Sequence, residues 1–265
     1  AQTVDVTLQC GQTYTINSTV AATAATGLTY RWLENGGVVT GAAANYTVIG
    51  KSVGVYTYIR QAQTTGCTDW QNSNAFTVEV KNKEGIDGVC FGGVMWAKYD
   101  VDEPGTFAAT SDAPGKLYQF NRKTPYPTSG PIIWSDNLIV EDIDWIPEND
   151  PCPIGWRLPT YAEVDRFAYT ISHVTELNPS LDKFYSFVVY AGGPRAANLV
   201  GNEHSLTMTC GCRYPPDGEY HAACWLRSSG QTNAAGTHVI AFAGARWWVG
   251  GDSKSNARTV RCVHD

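Results

Sequence analysis

Eight cysteines are the residues of this chain whose chemistry is most readily named. They form an even number, and they are scattered along all 265 residues rather than gathered in one motif. That pattern is typical of disulfides in an exported protein. We expect all eight to be half-cystines: Cys10, Cys67, Cys90, Cys152, Cys210, Cys212, Cys224 and Cys262.

A metal site is the alternative for part of this set. Four ligands for zinc could come from Cys210, Cys212, His221 and Cys224. Their spacing is not that of a standard zinc ribbon or finger, and they lie in sequence typical of strands. We therefore expect no metal and no other cofactor.

Few side chains are placed for catalysis. Glu163 and Asp165 are candidates for an acid/base pair, but they are two residues apart in a predicted helix and so do not face each other. His221 stands three residues before Cys224, which would suit a base and its thiol nucleophile; a half-cystine beside a surface histidine is the simpler interpretation. The sequence contains no Gly-rich phosphate loop, no His-Glu-x-x-His and no Gly-x-Ser-x-Gly. An enzyme is not predicted.

Aromatic residues offer binding chemistry instead. Trp247 and Trp248 are adjacent, so on a strand one ring points inward and the other outward. An outward ring can stack on a sugar or anchor a protein partner. A loop around 215–218 adds Tyr214, Tyr220 and His221, which we expect at the rim of the same face. These five residues are the predicted ligand-binding set.

One helix is clearly encoded, directly after the motif DPCPIGWRLPT at residues 150–160. Thr160 and Glu163 form a capping box, and Pro159 stops the helix from extending backward. The spacing predicts a helix from about Tyr161 to His173. Its apolar stripe comprises Val164, Phe167, Ile171 and Val174.

The first 82 residues have the pattern of short strands. Polar and apolar residues alternate in 4–10, 28–32 and 76–80, and turn signals lie between these segments. The position of Trp32 and the segment 54–58 resemble the core Trp and the tyrosine-corner strand of immunoglobulin-like folds. We therefore predict an all-β immunoglobulin-like sandwich over 1–82, in which Cys10 pairs with Cys67.

A polar, Gly-containing linker at 81–88 marks the boundary of a second domain over 88–265. This part is richer in Trp, Cys and Pro, and long loops separate its short strand-like pieces. Long loops in a compact domain usually carry function or are held by disulfides.

Five motifs of the second domain resemble, in their order, the major paralogous domain first named from Fibrobacter succinogenes and abundant in exported Bacteroidetes proteins. The helix-opening and C-terminal motifs are also similar to the formylglycine-generating-enzyme superfamily, which has a C-type-lectin-like fold. The motifs are GVMWA at 93–97, PGTFA at 104–108, NDPCPIGWRLPT at 149–160, WLRSS at 225–229 and VRCV at 260–263.

The resemblance implies an α+β C-type-lectin-like domain and a disulfide between Cys152 and Cys262. Cys210 and Cys212 are too close in sequence to bridge each other comfortably. One of them would then pair with Cys224 and the other with Cys90, and the sequence leaves open which does which.

Net charge and hydropathy limit the partners. The net charge is −6, from 19 basic and 25 acidic residues, and no Lys/Arg run occurs, so nucleic acid is not expected as a partner. No apolar segment approaches the roughly 20 residues of a transmembrane helix. We expect an exported protein at the cell surface or outer membrane, with its signal peptide removed.

The predicted function is adhesion to a glycan or protein ligand on a cell surface, with fimbrial subunits as possible partners. The alternative is polysaccharide binding as part of glycan uptake. A formylglycine-generating-type enzyme is third, because the only close cysteine pair, Cys210 and Cys212, does not have the spacing of those enzymes.

Overall fold

A computed structural model gives the fold of this chain. All structural statements concern the part of the chain that it describes. That part comprises residues 4–17, 27–39, 44–136, 138–177, 185–191, 205–210, 212–215, 219–220, 224–243 and 246–264.

Eight strands form the N-terminal part. Six of them build one sheet in the order β1-β8-β6-β3-β4, with β7 paired to β6, and β2 pairs with β5 in a second, two-stranded sheet. Tyr46 of the small sheet packs on Trp32 and Tyr58 of the large one, with ring centroids 5.6 and 5.3 Å apart. The strands are β1 (Val6–Gln9), β2 (Tyr14–Ile16), β3 (Leu28–Glu34), β4 (Gly37–Val39), β5 (Tyr46–Val48), β6 (Gly54–Thr64), β7 (Gln71–Asn72) and β8 (Phe76–Lys81).

Four further small sheets follow, together with a single α-helix in the described residues. Their strand orders are β12-β22-β10-β9, β11-β21-β16-β17, β13-β14-β15 and β18-β19-β20. The elements are β9 (Gly88–Phe91), β10 (Val94–Asp100), β11 (Leu117–Tyr118), a 3-10 turn (Pro147–Asn149), β12 (Trp156–Arg157), α1 (Tyr161–Thr170), β13 (Ile171–Glu176), β14 (Tyr185–Ala191), β15 (Ser205–Cys210), β16 (Cys212–Tyr214), β17 (Glu219–Tyr220), β18 (Cys224–Asn233), β19 (Gly236–Ala243), β20 (Arg246–Ser253), β21 (Ala257–Thr259) and β22 (Arg261–His264).

The predicted fold class is wrong. The described chain is nearly all β, with ten residues in its one α-helix, so an α+β C-type-lectin-like domain is not found over 88–265. The N-terminal strands were expected, but they form one large sheet and one two-stranded sheet, and β1 joins the large sheet parallel to β8. Short strands with long connections do not encode their partners locally, which is why the sequence pattern misled the assignment of sheets.

The helix prediction is confirmed in its start and in its buried face. Glu163 N–H donates to Thr160 Oγ1 at 3.3 Å, and Thr160 N–H donates to Glu163 Oε2 at 2.8 Å, which completes the capping box. The four predicted apolar residues are all buried. The helix ends three residues early, however, because the chain turns at Ile171 into β13. A register shift in β13 between Ile171 and His173 lets Ile171 and Val174 both face the core.

One disulfide joins Cys10 to Cys90, so the predicted pairing of Cys10 with Cys67 is wrong. Cys10 follows β1, which runs beside the end of β8, and β9 with Cys90 begins seven residues after β8 ends. Cys67 lies beyond the opposite end of β6, exposed and unbridged. Ten residues of strand separate the two ends by roughly 30 Å, which no disulfide spans.

A second disulfide joins Cys152 to Cys262, as the resemblance implied. Because Cys90 is bonded to Cys10, its predicted pairing with Cys210 or Cys212 is also wrong. The side chains of Cys210, Cys212 and Cys224 lie outside the described part of the structure, and their predicted bonding stays a prediction.

The boundary predicted at 82–88 falls between β8 and β9. A continuous cluster of buried apolar side chains runs across it, from Leu8 and Trp32 on one side to Phe167 and Val263 on the other. The division into domains 1–82 and 88–265 stays a prediction.

Candidate functional site

Helix α1 carries a second stripe of side chains opposite its buried one. Tyr161, Asp165 and Tyr169 are spaced i, i+4, i+8, so they lie one above the other on the outer face of the helix. Tyr161 and Tyr169 are exposed, and Asp165 is half-buried. The apolar face of α1 fixes this stripe in place because Val164 and Phe167 are fully buried in the core.

The sheet β18-β19-β20 stands against this helix. Trp247 of β20 donates its indole N–H to the carbonyl of Ala168 at 2.9 Å, which ties the strand to α1. His238 of β19 stacks on Tyr161 with ring centroids 3.9 Å apart and an interplanar angle of 28°. Helix and sheet are therefore held together by one hydrogen bond and one ring stack at the border of an open depression.

The depression between them has a volume of about 600 Å³. Aromatic rings and small residues make up most of its wall. Its lining residues are Tyr161, Asp165, Ala168, Tyr169, Thr232, His238, Trp247, Trp248, Val249, Gly250 and Gly251.

The two adjacent tryptophans point in different directions, as alternation along a strand requires. Trp247 is half-buried and packs against the core. Trp248 is 46% exposed. Its ring lies along Gly250, where a Cβ would stand 3.6 Å from Trp248 Cδ1. That distance is ordinary van der Waals contact, so a side chain at position 250 would pack on the ring without displacing it.

Polar groups of the depression are open to a ligand. No side-chain hydrogen bond or ion pair of Asp165 or Thr232 is found within the described residues. The described lining includes no Lys or Arg, and Asp165 is its only carboxylate. Arg166, the neighbour of Asp165 on α1, is turned away and donates to the carbonyl of Gly92 at 3.4 Å.

A buried charge cluster lies at the end of β20 and holds the sheet to the loops beneath it. Arg258 donates from Nε and Nη2 to the two carboxylate oxygens of Asp252, both at 2.7 Å. Arg227 lies 3.4 Å from the same carboxylate, and Asn256 Nδ2 donates to it at 2.8 Å. Burial alone would raise the pKa of Asp252, but the ion pairs and the amide donor outweigh burial and hold that pKa below its ordinary value.

A larger cavity of about 810 Å³ lies between the N-terminal sheet and strands β10 and β15. Charged and hydroxyl-bearing residues dominate its wall, among them Glu79, Lys81 and Lys83, and Tyr99 is the only aromatic residue in the described part of that wall. This cavity offers no exposed aromatic platform. The depression beside α1 is therefore the better candidate for a ligand site.

Two of the five predicted ligand-binding residues, Trp247 and Trp248, line this depression. Tyr214 and Tyr220 lie on the paired strands β16 and β17, which belong to a different sheet. Their side chains and all of His221 lie outside the described residues. Their predicted place at the rim of the same face stays a prediction.

Sequence reasoning missed Tyr161, Tyr169 and His238, and it considered Asp165 only as a partner of Glu163 in catalysis. A stripe on the outer face of a helix has the pattern of an ordinary solvated face, which is why it drew no attention. The one signal that could have indicated this stripe was the spacing of two tyrosines and an aspartate at i, i+4 and i+8. His238 had no comparable signal, because its position depends on the pairing of β19 with its neighbours.

Comparisons with known proteins give little. No family model and no curated protein matches this chain. The resemblance to the Fibrobacter succinogenes major paralogous domain therefore stays a prediction. A solved structure that aligns with the chain is the Bacteroides ovatus mixed-linkage glucan utilization locus (MLGUL) protein SGBP-B in complex with a mixed-linkage heptasaccharide. The alignment covers 99% of this chain and 93% of that chain at 10% sequence identity, with a TM-score of 0.25.

Two observations bear on where the protein works. The disulfides Cys10–Cys90 and Cys152–Cys262 are typical of proteins that mature in an oxidising compartment. Among the described residues, no helix has the length and apolar composition that crossing a bilayer requires.

Proposed function

We propose that this chain is an exported surface protein that binds polysaccharide, as a component of glycan uptake, through the depression between α1 and β20. The observation that carries the proposal is the exposed Trp248 ring beside a helix stripe of two tyrosines and one carboxylate, which has no ion pair among the described residues. We call this depression, lined by the residues given above, the aromatic groove.

Sugar chemistry suits the aromatic groove. A pyranose ring presents a face of C–H groups and a rim of hydroxyls, so it needs an apolar platform with polar groups around it. Tyrosine and tryptophan supply large, rigid surfaces that also carry a polar handle. Asp165 has no hydrogen bond or ion pair among the described residues, so its carboxylate can accept hydrogen bonds from sugar hydroxyls.

The length of the helix stripe favours a chain of sugars over a single one. Tyr161 and Tyr169 are eight residues apart, which corresponds to roughly 12 Å along a helix. One pyranose ring is shorter than that distance and cannot contact both tyrosines. A polysaccharide segment can lie along the whole stripe.

The same residues favour binding over hydrolysis. Glycoside hydrolases generally use a pair of carboxylates on either side of the scissile bond. The described lining of the aromatic groove has one carboxylate, Asp165. We therefore propose a binding protein and not an enzyme.

Adhesion and fimbrial partners stay predictions, and no feature of the described residues favours them over glycan capture. The two functions differ in ligand: glycan capture requires binding to soluble polysaccharide, whereas an adhesin for a protein ligand does not.

Affinity electrophoresis in gels containing soluble β-glucan, glucomannan, xylan or galactan tests the proposal. We expect at least one neutral polymer to retard the wild-type chain, and Trp248→Ala to weaken that retardation at least tenfold, about 1.4 kcal/mol. Trp70→Ala is the matched control. Trp70 is a half-buried ring covered by the Arg31 guanidinium at 4.2 Å, outside the aromatic groove.

The control variant should bind as the wild type does. The proposal fails if none of the polymers retards the wild-type chain, or if Trp248→Ala and Trp70→Ala bind equally well.

A further inference from the structure

Asp165 occupies the middle of the Tyr161–Tyr169 stripe, where its carboxylate would face any ligand that lies along the stripe. Its carboxylate is half-buried and has no cationic neighbour in the described lining of the aromatic groove. Arg166 is directed to Gly92 on another side of the helix. A glycan lying across both tyrosines must pass over Asp165, because Asp165 lies between them on the same helix face.

We propose that Asp165 is a specificity-determining residue that restricts the aromatic groove to glycan chains without acidic groups. This inference rests on the proposed function and names the ligand class of the same site: uncharged polysaccharide, as opposed to polymers of uronic acids or sulfated sugars.

The physical basis is a difference between two ligands at one carboxylate. A hydroxyl of a neutral sugar donates a hydrogen bond to ionised Asp165, and such charge-assisted bonds are stronger than neutral ones. A sugar carboxylate at the same place cannot donate and is repelled. Repulsion between like charges grows when they are partly withdrawn from water, as they are in a depression. Selectivity of this kind comes from a group that repels the unwanted ligand and not only from contacts with the preferred one.

Other titratable groups of the aromatic groove do not cancel this charge. The phenols of Tyr161 and Tyr169 are ordinary hydrogen-bonding groups. His238, stacked on Tyr161, is the only imidazole in the described lining. A His238→Gln variant separates its contribution from that of Asp165.

The test compares each neutral polymer with its own carboxymethylated derivative, so that backbone and linkage stay matched. For the neutral polymer that retards the wild-type chain, we expect the carboxymethylated form to bind at least tenfold more weakly at low ionic strength. Asp165→Asn should bring the two affinities within about threefold of each other. Asp165→Glu and His238→Gln should keep the discrimination. Added salt should reduce it, because salt screens charge repulsion.

Thermal unfolding of each variant checks that it is folded, since among the described residues Asp165 has no hydrogen bond or ion pair whose loss would destabilise the chain. The inference is overturned if the wild type binds both forms equally, or if Asp165→Asn leaves the ratio unchanged while Trp248→Ala still weakens binding at least tenfold. In those cases the proposed function stands without the inference. If no polymer binds at all, the proposed function and the inference fall together.

Discussion

Strand β20 passes through two environments within a few residues, and their contrast separates scaffold from site. At Trp248 the strand carries an exposed ring beside the stripe of Tyr161, Asp165 and Tyr169 on α1. At Asp252, four residues later, it carries a buried carboxylate held by two arginines and an asparagine. The end of the strand at Trp248 exposes an aromatic ring to a ligand, whereas the carboxylate at Asp252 is paired with other residues of the protein.

This difference assigns separate tasks to the two regions. Groups that are ion-paired and buried contribute to the free energy of unfolding when their partners are present, and removing one partner leaves an uncompensated charge. Groups that are exposed contribute little to folding, and their surface remains accessible to a ligand. Substitution of Asp252 should therefore lower the free energy of unfolding, whereas substitution of Trp248 should weaken ligand binding.

The largest effect is expected from Asp252→Ala. The substitution leaves the buried guanidinium groups of Arg227 and Arg258 without their shared carboxylate, which should lower the free energy of unfolding by about 3–5 kcal/mol. Urea denaturation measures it. Asp165→Ala removes an acid from the aromatic groove and serves as the control, with a change of less than about 0.5 kcal/mol.

Equal destabilisation by the two substitutions would contradict the separation between scaffold and site. Nearly unchanged stability of Asp252→Ala would show that the buried cluster does not hold the sheet.

Removing the Cys152–Cys262 disulfide should rank second. The double variant Cys152→Ser/Cys262→Ser opens a loop with a sequence separation of 110 residues and should cost about 2–4 kcal/mol. Cys67→Ser is the matched control, since Cys67 is exposed and unbridged, and its unfolding should be unchanged. A loss of stability in Cys67→Ser would mean that this thiol has a structural role.

The pH dependence of unfolding should distinguish two buried carboxylates. The pKa of Asp252 is lowered in the folded state, so its contribution to stability is present above the ordinary Asp pKa and is lost as pH falls through the folded value. Asp100 behaves oppositely. Burial raises its pKa to about 7 despite the ion pair with Arg261 at 2.8 Å, so its contribution is lost as pH rises through about 7.

Denaturant unfolding of Asp252→Asn and Asp100→Asn, measured from acidic to neutral pH, tests these two opposite pH dependences. Asp252→Asn should flatten the acidic limb of the stability profile, and Asp100→Asn should flatten the decline toward neutral pH. Parallel profiles for the two variants would show that their surroundings do not differ as described.

Local patterns predicted local structure well, and this explains what the sequence could provide. The capping box at Thr160 and the apolar stripe starting at Val164 depend on residues a few positions apart, so both were predictable. Alternation along a strand was enough to divide Trp247 from Trp248. Each of these features is set by covalent neighbours and backbone geometry.

Non-local structure was not predictable in the same way. The Cys10–Cys90 disulfide depends on β1 pairing with β8 in parallel, and the sequence of β1 alone does not identify β8 as its partner. The aromatic groove likewise depends on α1 docking beside β19 and β20. Tyr161 and His238 are far apart in sequence, and only the tertiary fold brings them into contact.

The smallest effect is expected from Tyr169→Ala. Tyr169 is 83% exposed at the end of the helix stripe, so truncation should weaken binding of a retarding polymer by about 1 kcal/mol, without a change in unfolding. Isothermal titration with an oligosaccharide of that polymer measures the change. Tyr30→Ala alters a tyrosine of the N-terminal sheet; it is the control and should bind normally. An equal loss of affinity in both variants would show that Tyr169 does not contribute to binding.

The most direct measurement is a crystal structure of the chain with a neutral oligosaccharide of the polymer that retards it. We predict electron density for several sugars along the helix stripe, with one ring against Trp248 and a hydroxyl donating to Asp165. An oligosaccharide bound elsewhere, with the aromatic groove empty, would contradict the assignment of this site.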